Sequence, residues 1–339
     1  MTERDRVLAA MRGHDVDRPP ISFWGHVYHR ESSAADLADH TFERWQRHRW
    51  DWIKLNPRKH YHVEDWGVRY RYGGVPDEKP VLESFPVRTS ADWDRVVTEI
   101  PHDRGVLGEQ IESVRLLRAK LPATVPVLAT VFTPLAILAE LTEPPAVLKE
   151  HLETAPATIE RALETVTRVY EKYVAALVAA GADGLFLATV DWGCRRFVTP
   201  ESLRRWSRPY DLRLLAAAGP SPFHTMHVCK DDCLLFEFAD YPVGAFSWDA
   251  GAPANPSLAE GLARLPGAVM GGIAHEGALQ APGPEAVVEQ YRRALAETGG
   301  RRWLVAPGCS IPPHSPEANL AALRDEVDRT PASGGRIAR

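Results

Sequence analysis

Three residues able to bind a metal ion lie at the ends of two predicted strands. His227 and Cys229 are two positions apart at the end of a strand predicted over Phe223–Val228, so their side chains point to the same face. Cys309 lies in a Gly-Cys turn just after a strand predicted over Trp303–Ala306. One imidazole and two thiolates form a known catalytic zinc set that leaves a fourth position for water or substrate. These residues predict a Zn²⁺ centre if the fold brings the two strand ends together.

The ligand types also indicate which reaction such a centre favours. Two thiolates offset the charge of the zinc dication, so a bound substrate thiolate leaves a net negative centre whose sulfur stays nucleophilic. A more positive zinc held by three histidines favours activation of water instead. A His-x-Cys pair is also common in an apolar core, because free cysteine packs as a small hydrophobe. Cys194 and Cys233 are competing ligands, which we interpret mainly as structural.

The composition narrows the class of protein that carries these residues. The chain has 339 residues, and 40 Lys and Arg against 45 Asp and Glu give a formal net charge of −5. This balance is ordinary for soluble globular proteins and excludes a disordered chain or a nucleic-acid-binding tail. Four cysteines are too few for a disulfide framework, which favours a reducing compartment. With no signal-peptide pattern and no membrane-length apolar stretch, we expect a cytoplasmic protein without nucleic-acid or membrane partners.

Short apolar runs alternate with helical patterns along most of the chain. The predicted strands are Pro20–Trp24, Trp52–Leu55, Val125–Val131, Gly184–Ala188, Phe223–Val228, Val243–Trp248, Ala268–Ile273 and Trp303–Ala306. The predicted helices include Pro145–Ala179, Pro200–Ala218, Ser257–Arg264, Pro284–Thr298 and Pro316–Asp328. Near-continuous apolar strands separated by helices indicate a parallel sheet covered by helices, and eight such strands favour a closed barrel.

The predicted fold class is therefore α/β, a single (β/α)₈ TIM barrel in which Pro57–Thr98 forms a long insert after the second strand. We assign the barrel to residues 1–328 and expect 329–339, rich in Gly, Ser and Arg, to form a flexible tail. A doubly wound open sheet is the alternative, but no GxGxxG or GxxxxGK[ST] fingerprint occurs. In a barrel the site lies where the strands end, so the fifth and eighth strands share one opening.

Several segments resemble the uroporphyrinogen decarboxylase superfamily, and the resemblance spans essentially the whole chain. They are AAGADG at 179–184, SRPY at 207–210, FHTMHVCKD and APGCSIPPHSPEANLAAL. The resemblance implies an (α/β)₈ barrel. The metal-free decarboxylases carry an Arg-Gln-Ala-Gly-Arg segment and a Gly-His-Gly turn, where this chain has Ser22-Phe-Trp-Gly-His26 and Gly308-Cys309-Ser310.

The methylcobamide:coenzyme M methyltransferase branch of that superfamily matches the metal-binding pattern instead. Its members carry His-x-Cys on the fifth strand and a Gly-Cys turn after the eighth, and the matching residues are His227, Cys229 and Cys309. The resemblance therefore implies zinc-dependent transfer of a methyl group from a methylated corrinoid to a thiol.

Further candidate residues follow the ends of other strands. Asp249 and Asp191 are the predicted catalytic carboxylates. The resemblance implies that an acidic residue near Asp249 occupies the open zinc position when substrate is absent, while a loop cap is the alternative. Asp191 is placed to orient substrate, and Arg195 either binds an anionic group or lies solvated on the surface. The predicted substrate-binding residues are Trp24, His26, Asn56, Arg195 and His275.

The expected partners follow from the implied reaction. No Asp-x-His-x-x-Gly cobalamin motif occurs, so we expect methylcobalamin as the methyl donor on a separate corrinoid protein that docks over the barrel mouth. The acceptor is expected to be a small thiol, and a homodimer is compatible with the sequence. Two alternatives remain open: a metal-free lyase of the decarboxylase type acting on a polycarboxylate, and a non-catalytic barrel that binds a ligand.

Overall fold

The computed structural model describes residues 1–75, 78–142 and 145–331. Most of the predicted tail, residues 332–339, therefore lies outside the described residues. The strands are β1 (Ile53–Leu55), β2 (Arg69–Arg71), β3 (Val81–Ser84), β4 (Val127–Phe132), β5 (Gly184–Ala188), β6 (Thr225–Val228), β7 (Ala245–Trp248), β8 (Ala268–Ile273) and β9 (Trp303–Pro307).

The helices connect these strands and cover the sheet. They are α1 (Glu3–Met11), α2 (Ala34–His48), α3 (Tyr61–Glu64), α4 (Trp93–Val96), α5 (Gly105–Lys120), α6 (Pro134–Glu140), α7 (Pro145–Thr154), α8 (Pro156–Ala179), α9 (Pro200–Trp206), α10 (Arg208–Ala218), α11 (Leu258–Arg264), α12 (Glu285–Thr298) and α13 (Glu317–Arg329). No helix within 1–75, 78–142 and 145–331 is both long and apolar enough to cross a membrane.

Seven strands form one parallel sheet in the order β1-β4-β5-β6-β7-β8-β9. Every residue of β5, β6, β7 and β9 is buried, as expected where helices cover a parallel sheet. These strands agree with the predicted ones, and their ends differ by at most two residues. The structure is thus an α/β fold with the expected parallel sheet.

The sheet curls until one segment reaches both of its edge strands. On the β9 side, the backbone N–H of Val305 donates to Pro20 O (2.8 Å) and that of Ser22 donates to Val305 O (3.1 Å). On the β1 side, the N–H of Asp51 donates to Ile21 O (2.9 Å), and Ser22 Oγ donates to the carbonyl just before β1 (2.7 Å). This strong curl is consistent with a TIM barrel.

The prediction of a regular strand over Pro20–Trp24 is wrong. This segment forms only an isolated parallel bridge, between Ile21 and Val305. The physical reason lies in the Pro19-Pro20 pair, which has no backbone N–H to donate to a ladder. The segment nevertheless occupies the place of the missing first strand, between β9 and the chain that leads into β1.

Two of the predicted helices are each divided in two. The range Pro145–Ala179 contains α7 and α8, which are separated at Ala155 with φ −136° and ψ 46°. The range Pro200–Ala218 contains α9 and α10, separated at Ser207. Pro156 disfavours helical backbone at the preceding Ala155, and Pro209, two residues after Ser207, removes one N–H donor from the helix. The other three predicted helices agree with the structure to within one residue at each end.

Alternating residues of the strands pack into two apolar clusters, one on each face of the curled sheet. The smaller cluster includes Leu128, Phe186, Met270 and Leu304, together with Val7 of α1. The larger cluster joins the opposite face of the strands to the helices. Since successive strand residues point to opposite faces, both faces of each strand need apolar residues, which explains the continuous apolar runs.

A buried carboxylate joins the amino-terminal segments to the sheet. The side chain of Asp51 is fully buried and accepts hydrogen bonds from Arg6 Nη1 (2.7 Å) and from Arg18 Nη1 (2.7 Å) and Nη2 (3.0 Å). It also accepts from the backbone N–H of Ile21 (2.8 Å). Charge-assisted bonds of this kind are strong. If the carboxylate is removed, Arg6 and Arg18 lose their buried partner and keep only the more exposed Asp17 and Asp328.

Replacement of this carboxylate should therefore destabilise the fold. We expect Asp51→Ala to lower the free energy of unfolding by about 3–5 kcal/mol, as for other broken buried ion pairs, measured by urea denaturation. Asp15→Ala is the control, because the Asp15–Arg301 pair (3.1 Å) is exposed and such pairs contribute little. Equal effects of the two substitutions would contradict a structural role for Asp51.

Candidate metal centre

His227, Cys229 and Cys309 come together at the carboxyl ends of β6 and β9. One ring nitrogen of His227 and the two sulfur atoms all lie within 4.8 Å of one another. His227 is buried, and the two cysteines are half-buried. The three side chains therefore form a cluster that can bind a metal ion.

The neighbouring strands orient the imidazole of His227. In the sheet register His227 lies between Ala188 of β5 and Ser247 of β7. Its Nδ1 atom is 3.1 Å from Ser247 Oγ, and its ring stacks on Phe186 with 5.0 Å between ring centroids. Because Nδ1 is occupied by the serine, Nε2 remains for a metal ion. A hydrogen bond on the second ring nitrogen is the usual arrangement for a metal-binding histidine.

The two thiols of the cluster interact directly. The hydrogen bond from Cys229 holds the pKa of Cys309 well below its ordinary value, and the same interaction raises the pKa of Cys229 well above it. The backbone N–H of Cys229 donates to Thr189 Oγ1 (3.3 Å), which fixes the chain just after β6. These opposite shifts favour a thiolate at Cys309, and a metal ion binds cysteine in its deprotonated form.

These three residues line a cavity of about 590 Å³ at the carboxyl ends of the strands. Its lining contains most of the residues that the sequence indicated. They are Trp24, His26, Asn56, His227, Cys229, Asp249, His275 and Cys309. The insert after β1 forms another part of the wall, through Arg58, Lys59, His60 and His62. A cavity of this size is typical of sites for small molecules.

Asp249 and His275 form a pair beside the cluster. Asp249 Oδ2 is 3.4 Å from His275 Nδ1, and the nearby carboxylate raises the pKa of this histidine. A Cβ atom added at Gly308 would lie 2.7 Å from Asp249 Oδ1. Glycine at this position therefore lets the Asp249 carboxylate approach the residue that precedes Cys309.

His26 is held by a buried carboxylate that the sequence analysis missed. The Nδ1 atom of His26 is 2.8 and 2.9 Å from the two oxygens of Glu31, whose side chain is buried. Glu31 also accepts from the backbone N–H groups of Val27 (2.8 Å) and Lys59 (3.2 Å). Ser247 was missed in the same way. Ser247 lies opposite His227 in the register of β6 and β7, so the pairing of these two strands is the signal that could have identified it.

A buried lysine lies on the floor of the cavity. Lys54 Nζ donates to Asn56 Oδ1 (2.6 Å) and lies 5.6 and 5.1 Å from the ring centroids of Trp24 and Phe186. Burial lowers the pKa of Lys54 to about 8. The hydrogen bond from this ammonium group therefore holds the side chain of Asn56 at the floor of the cavity.

Two predicted site residues lie outside the lining of the cavity. Asp191 Oδ1 is 3.2 Å from Nζ of Lys230, a residue that does line it. Arg195 is largely exposed, and its Nε is 3.4 Å from Asp232. This position fits the alternative in which Arg195 lies solvated on the surface. Its guanidinium is in an exposed ion pair and does not point into the cavity. The predicted role of Asp191 stays a prediction.

The competing ligands are placed away from the cluster. Cys194 and Cys233 are buried and face each other across an isolated antiparallel bridge. Burial raises the pKa of Cys233 to about 12, so this thiol stays protonated at neutral pH. Neither residue belongs to the group that can bind a metal ion.

Comparisons with known proteins give the family model and the fold that this chain matches. The family model described as uroporphyrinogen decarboxylase (URO-D) matches residues 2–330. The chain is 28% identical over 260 residues to a uroporphyrinogen decarboxylase of Syntrophotalea carbinolica, covering 74% of this chain and 72% of the relative. It is 24% identical to a methylcobamide:CoM methyltransferase of Methanosarcina barkeri over an alignment of 354 positions, covering 96% and 98%. The fold resembles a methyltransferase from Methanosarcina mazei, with a TM-score of 0.80, 21% identity and coverage of 97% and 98%.

The Ser247 contact can be tested by its effect on metal affinity. We expect Ser247→Ala to weaken Zn²⁺ binding about 10- to 100-fold, because the orientation and basicity of His227 depend on the hydrogen bond at Nδ1. Competition against a chromophoric chelator measures this affinity. Ser310→Ala is the control, since Ser310 follows Cys309 but bonds Asn56 instead of a ligand. An unchanged affinity in Ser247→Ala would contradict the assigned orientation.

Proposed function

The chain belongs to the uroporphyrinogen decarboxylase family, and from this premise we propose that it is a zinc-dependent methyltransferase. The methyl group would move from a methylated corrinoid, carried on a separate protein, to a small thiol. The observation that carries this proposal is the convergence of His227, Cys229 and Cys309 within 4.8 Å in the large cavity. The nearly full-length similarity to methylcobamide:CoM methyltransferases supports it.

The donor set suits zinc. His227 Nε2 and the sulfurs of Cys229 and Cys309 would hold the metal, and two sulfurs with one nitrogen are a zinc set that leaves a position for substrate. Bound zinc would lower the pKa of a substrate thiol and keep its sulfur as a nucleophilic thiolate. The interaction between the two cysteines supports this assignment, because it holds the pKa of Cys309 well below its ordinary value and so favours the thiolate that zinc binds.

The proton released by the substrate thiol needs an acceptor in the cavity. We assign it to the Asp249–His275 pair, which lies next to the Gly308-Cys309 turn. The raised pKa of His275 favours holding this proton on the imidazole beside the carboxylate. Asp249 would thereby act on the substrate, as predicted from its place after β7.

The methyl transfer itself is a displacement. A methylated corrinoid would supply the methyl group, with the substrate sulfur taking the methyl carbon and the electron pair of the carbon–cobalt bond staying on the corrinoid. The chain contributes by positioning the two reactants and by limiting water around the thiolate. Trp24 and Phe186 supply apolar surface to the floor of the cavity.

A metal-free lyase acting on a polycarboxylate is the second candidate, favoured by the similarity to decarboxylases. Such a substrate requires several unpaired cations in the cavity. Two of the lining cations already have carboxylate partners, Arg58 with Glu64 (2.9 Å) and Lys230 with Asp191 (3.2 Å). Lys54 and Lys59 are left without one within the described part of the chain, and two cations match a polycarboxylate poorly.

Metal content separates these two functions. We expect protein purified without chelator to contain about one zinc per chain, and Cys309→Ala to contain less than about a tenth of this, because the site loses one of its three protein ligands. Metal analysis by mass spectrometry gives both values. Cys194→Ala is the matched control, because it removes a buried thiol outside the cluster. Wild-type protein with less than about a tenth of an equivalent would overturn the zinc assignment.

The reaction is tested with the same variants. We expect the wild-type protein to demethylate methylcobalamin in the presence of at least one thiol from a panel, followed by the change in corrinoid absorbance. Cys309→Ala should lose this activity and Cys194→Ala should retain it. Zinc binding without demethylation by any thiol would instead favour the non-catalytic, ligand-binding alternative.

A further inference from the structure

A second pocket of about 210 Å³ lies behind one wall of the large cavity. Its lining joins α2 to the segments Gly25–Val27 and Ile311–Pro313. His26 and Ile311–Pro313 line both spaces, so these residues form the wall between them. The second pocket contains no member of the metal-binding cluster.

The charges in this pocket are not balanced. Arg30 is paired with Glu43 (2.5 Å), and Arg47 lies 3.4 Å from Glu317. Arg44 lies on α2, three residues before Arg47, and it has neither an ion pair nor a hydrogen bond within the described ranges. Its Nε atom is buried without a partner, and burial lowers the pKa of this guanidinium. Both carboxylates of the pocket are thus paired with other groups, and Glu317, whose charge acts on Arg44, makes no ion pair with it.

The uncharged groups around Arg44 also lack acceptors. His40 lines the pocket at 8% exposure and makes no hydrogen bond to any residue that the structure describes. Burial lowers its pKa to about 3, so the ring is neutral and carries one N–H. A smaller void of about 20 Å³ shares His40 and Arg44 with the pocket. Trp50 Nε1 and Asn56 Nδ2, at residues that line this void, are further buried donors without partners.

A ligand for this pocket must supply both acceptors and negative charge. Buried donors and unpaired charges are costly unless they are matched. Arg44 Nε, Trp50 Nε1 and Asn56 Nδ2 are donors without partners among the described residues, and the neutral ring of His40 adds one N–H. The planar guanidinium of arginine binds carboxylate and phosphate oxygens through two parallel hydrogen bonds. At neutral pH a phosphate monoester carries about −1.5 to −2 charges and three acceptor oxygens, which match a guanidinium and neighbouring N–H donors. Inorganic phosphate has the same acceptor oxygens and keeps at least one O–H.

We propose that the pocket behind the large cavity binds a phosphate-type oxyanion, either inorganic phosphate or a phosphate monoester, with Arg44 as its main ligand and His40 and Arg47 as further contacts. The site is separate from the metal cluster and does not depend on methyl transfer. Its shared wall with the large cavity, at His26 and Ile311–Pro313, places a bound anion next to the site of the proposed reaction.

Calorimetric titration with inorganic phosphate, on the protein as purified and in a buffer of low ionic strength, tests this site. We expect one phosphate per chain, and at least a tenfold weaker affinity in Arg44→Met, which keeps the volume of the side chain but removes its charge. Arg205→Met is the control, because Arg205 is exposed and paired with Glu160 on the surface (3.1 Å). Absence of binding to the wild type, or equal affinities in the two variants, would overturn the proposal.

Two further arms locate the anion. Lys54→Met removes the cation on the floor of the large cavity and should leave phosphate affinity unchanged; a loss of phosphate binding in Lys54→Met, with binding retained in Arg44→Met, would overturn the assignment.

Arg44→Lys covers the case in which Arg44→Met does not fold, and we expect its phosphate affinity to be several-fold weaker than that of the wild type because the paired hydrogen bonds are lost. A phosphate monoester titrated in parallel distinguishes the two sources of the anion. Zinc content should be the same in the Arg44 and Arg205 variants as in the wild type, so the outcome at this pocket is independent of the proposed reaction.

Discussion

All strands of the main sheet run parallel, and this direction places their carboxyl ends around one cavity. His227 and Cys229 at the end of β6 and Cys309 after β9 meet there although they are distant along the chain. Strand alternation sends His227 and Cys229 to the same side. The strong curl of the sheet then brings β9 close enough for the third ligand. Without these two constraints the three residues would be separate members of an apolar core.

Contacts outside the cluster give it a defined geometry. Ser247 on the adjacent strand occupies one nitrogen of His227, and Gly308 leaves room for the Asp249 carboxylate beside Cys309. Glu31 fixes His26 through both of its oxygens. These contacts are short-range and buried, so they control the proton positions around the site more strongly than the small net charge of the chain does.

The sequence predicted the elements that depend on local pattern and missed those that depend on packing. Apolar runs and strand ends identified seven strands and the three residues of the cluster that can bind a metal ion. The segment Pro20–Trp24 has the apolar pattern of a strand, yet Pro20 has no N–H for a ladder and the N–H of Ile21 bonds the Asp51 carboxylate. Arg195 follows β5 as a site residue would, but its side chain turns to solvent. The unmatched charge of Arg44 was not predictable, because it arises only when α2 packs against distant segments.

X-ray absorption at the zinc edge, on the protein as purified, tests the central assignment most directly. The account predicts two sulfur ligands at about 2.3 Å and a nitrogen at about 2.0–2.1 Å, with a third sulfur appearing when a substrate thiol is added. Coordination by oxygen and nitrogen alone, or a spectrum without zinc, would contradict it.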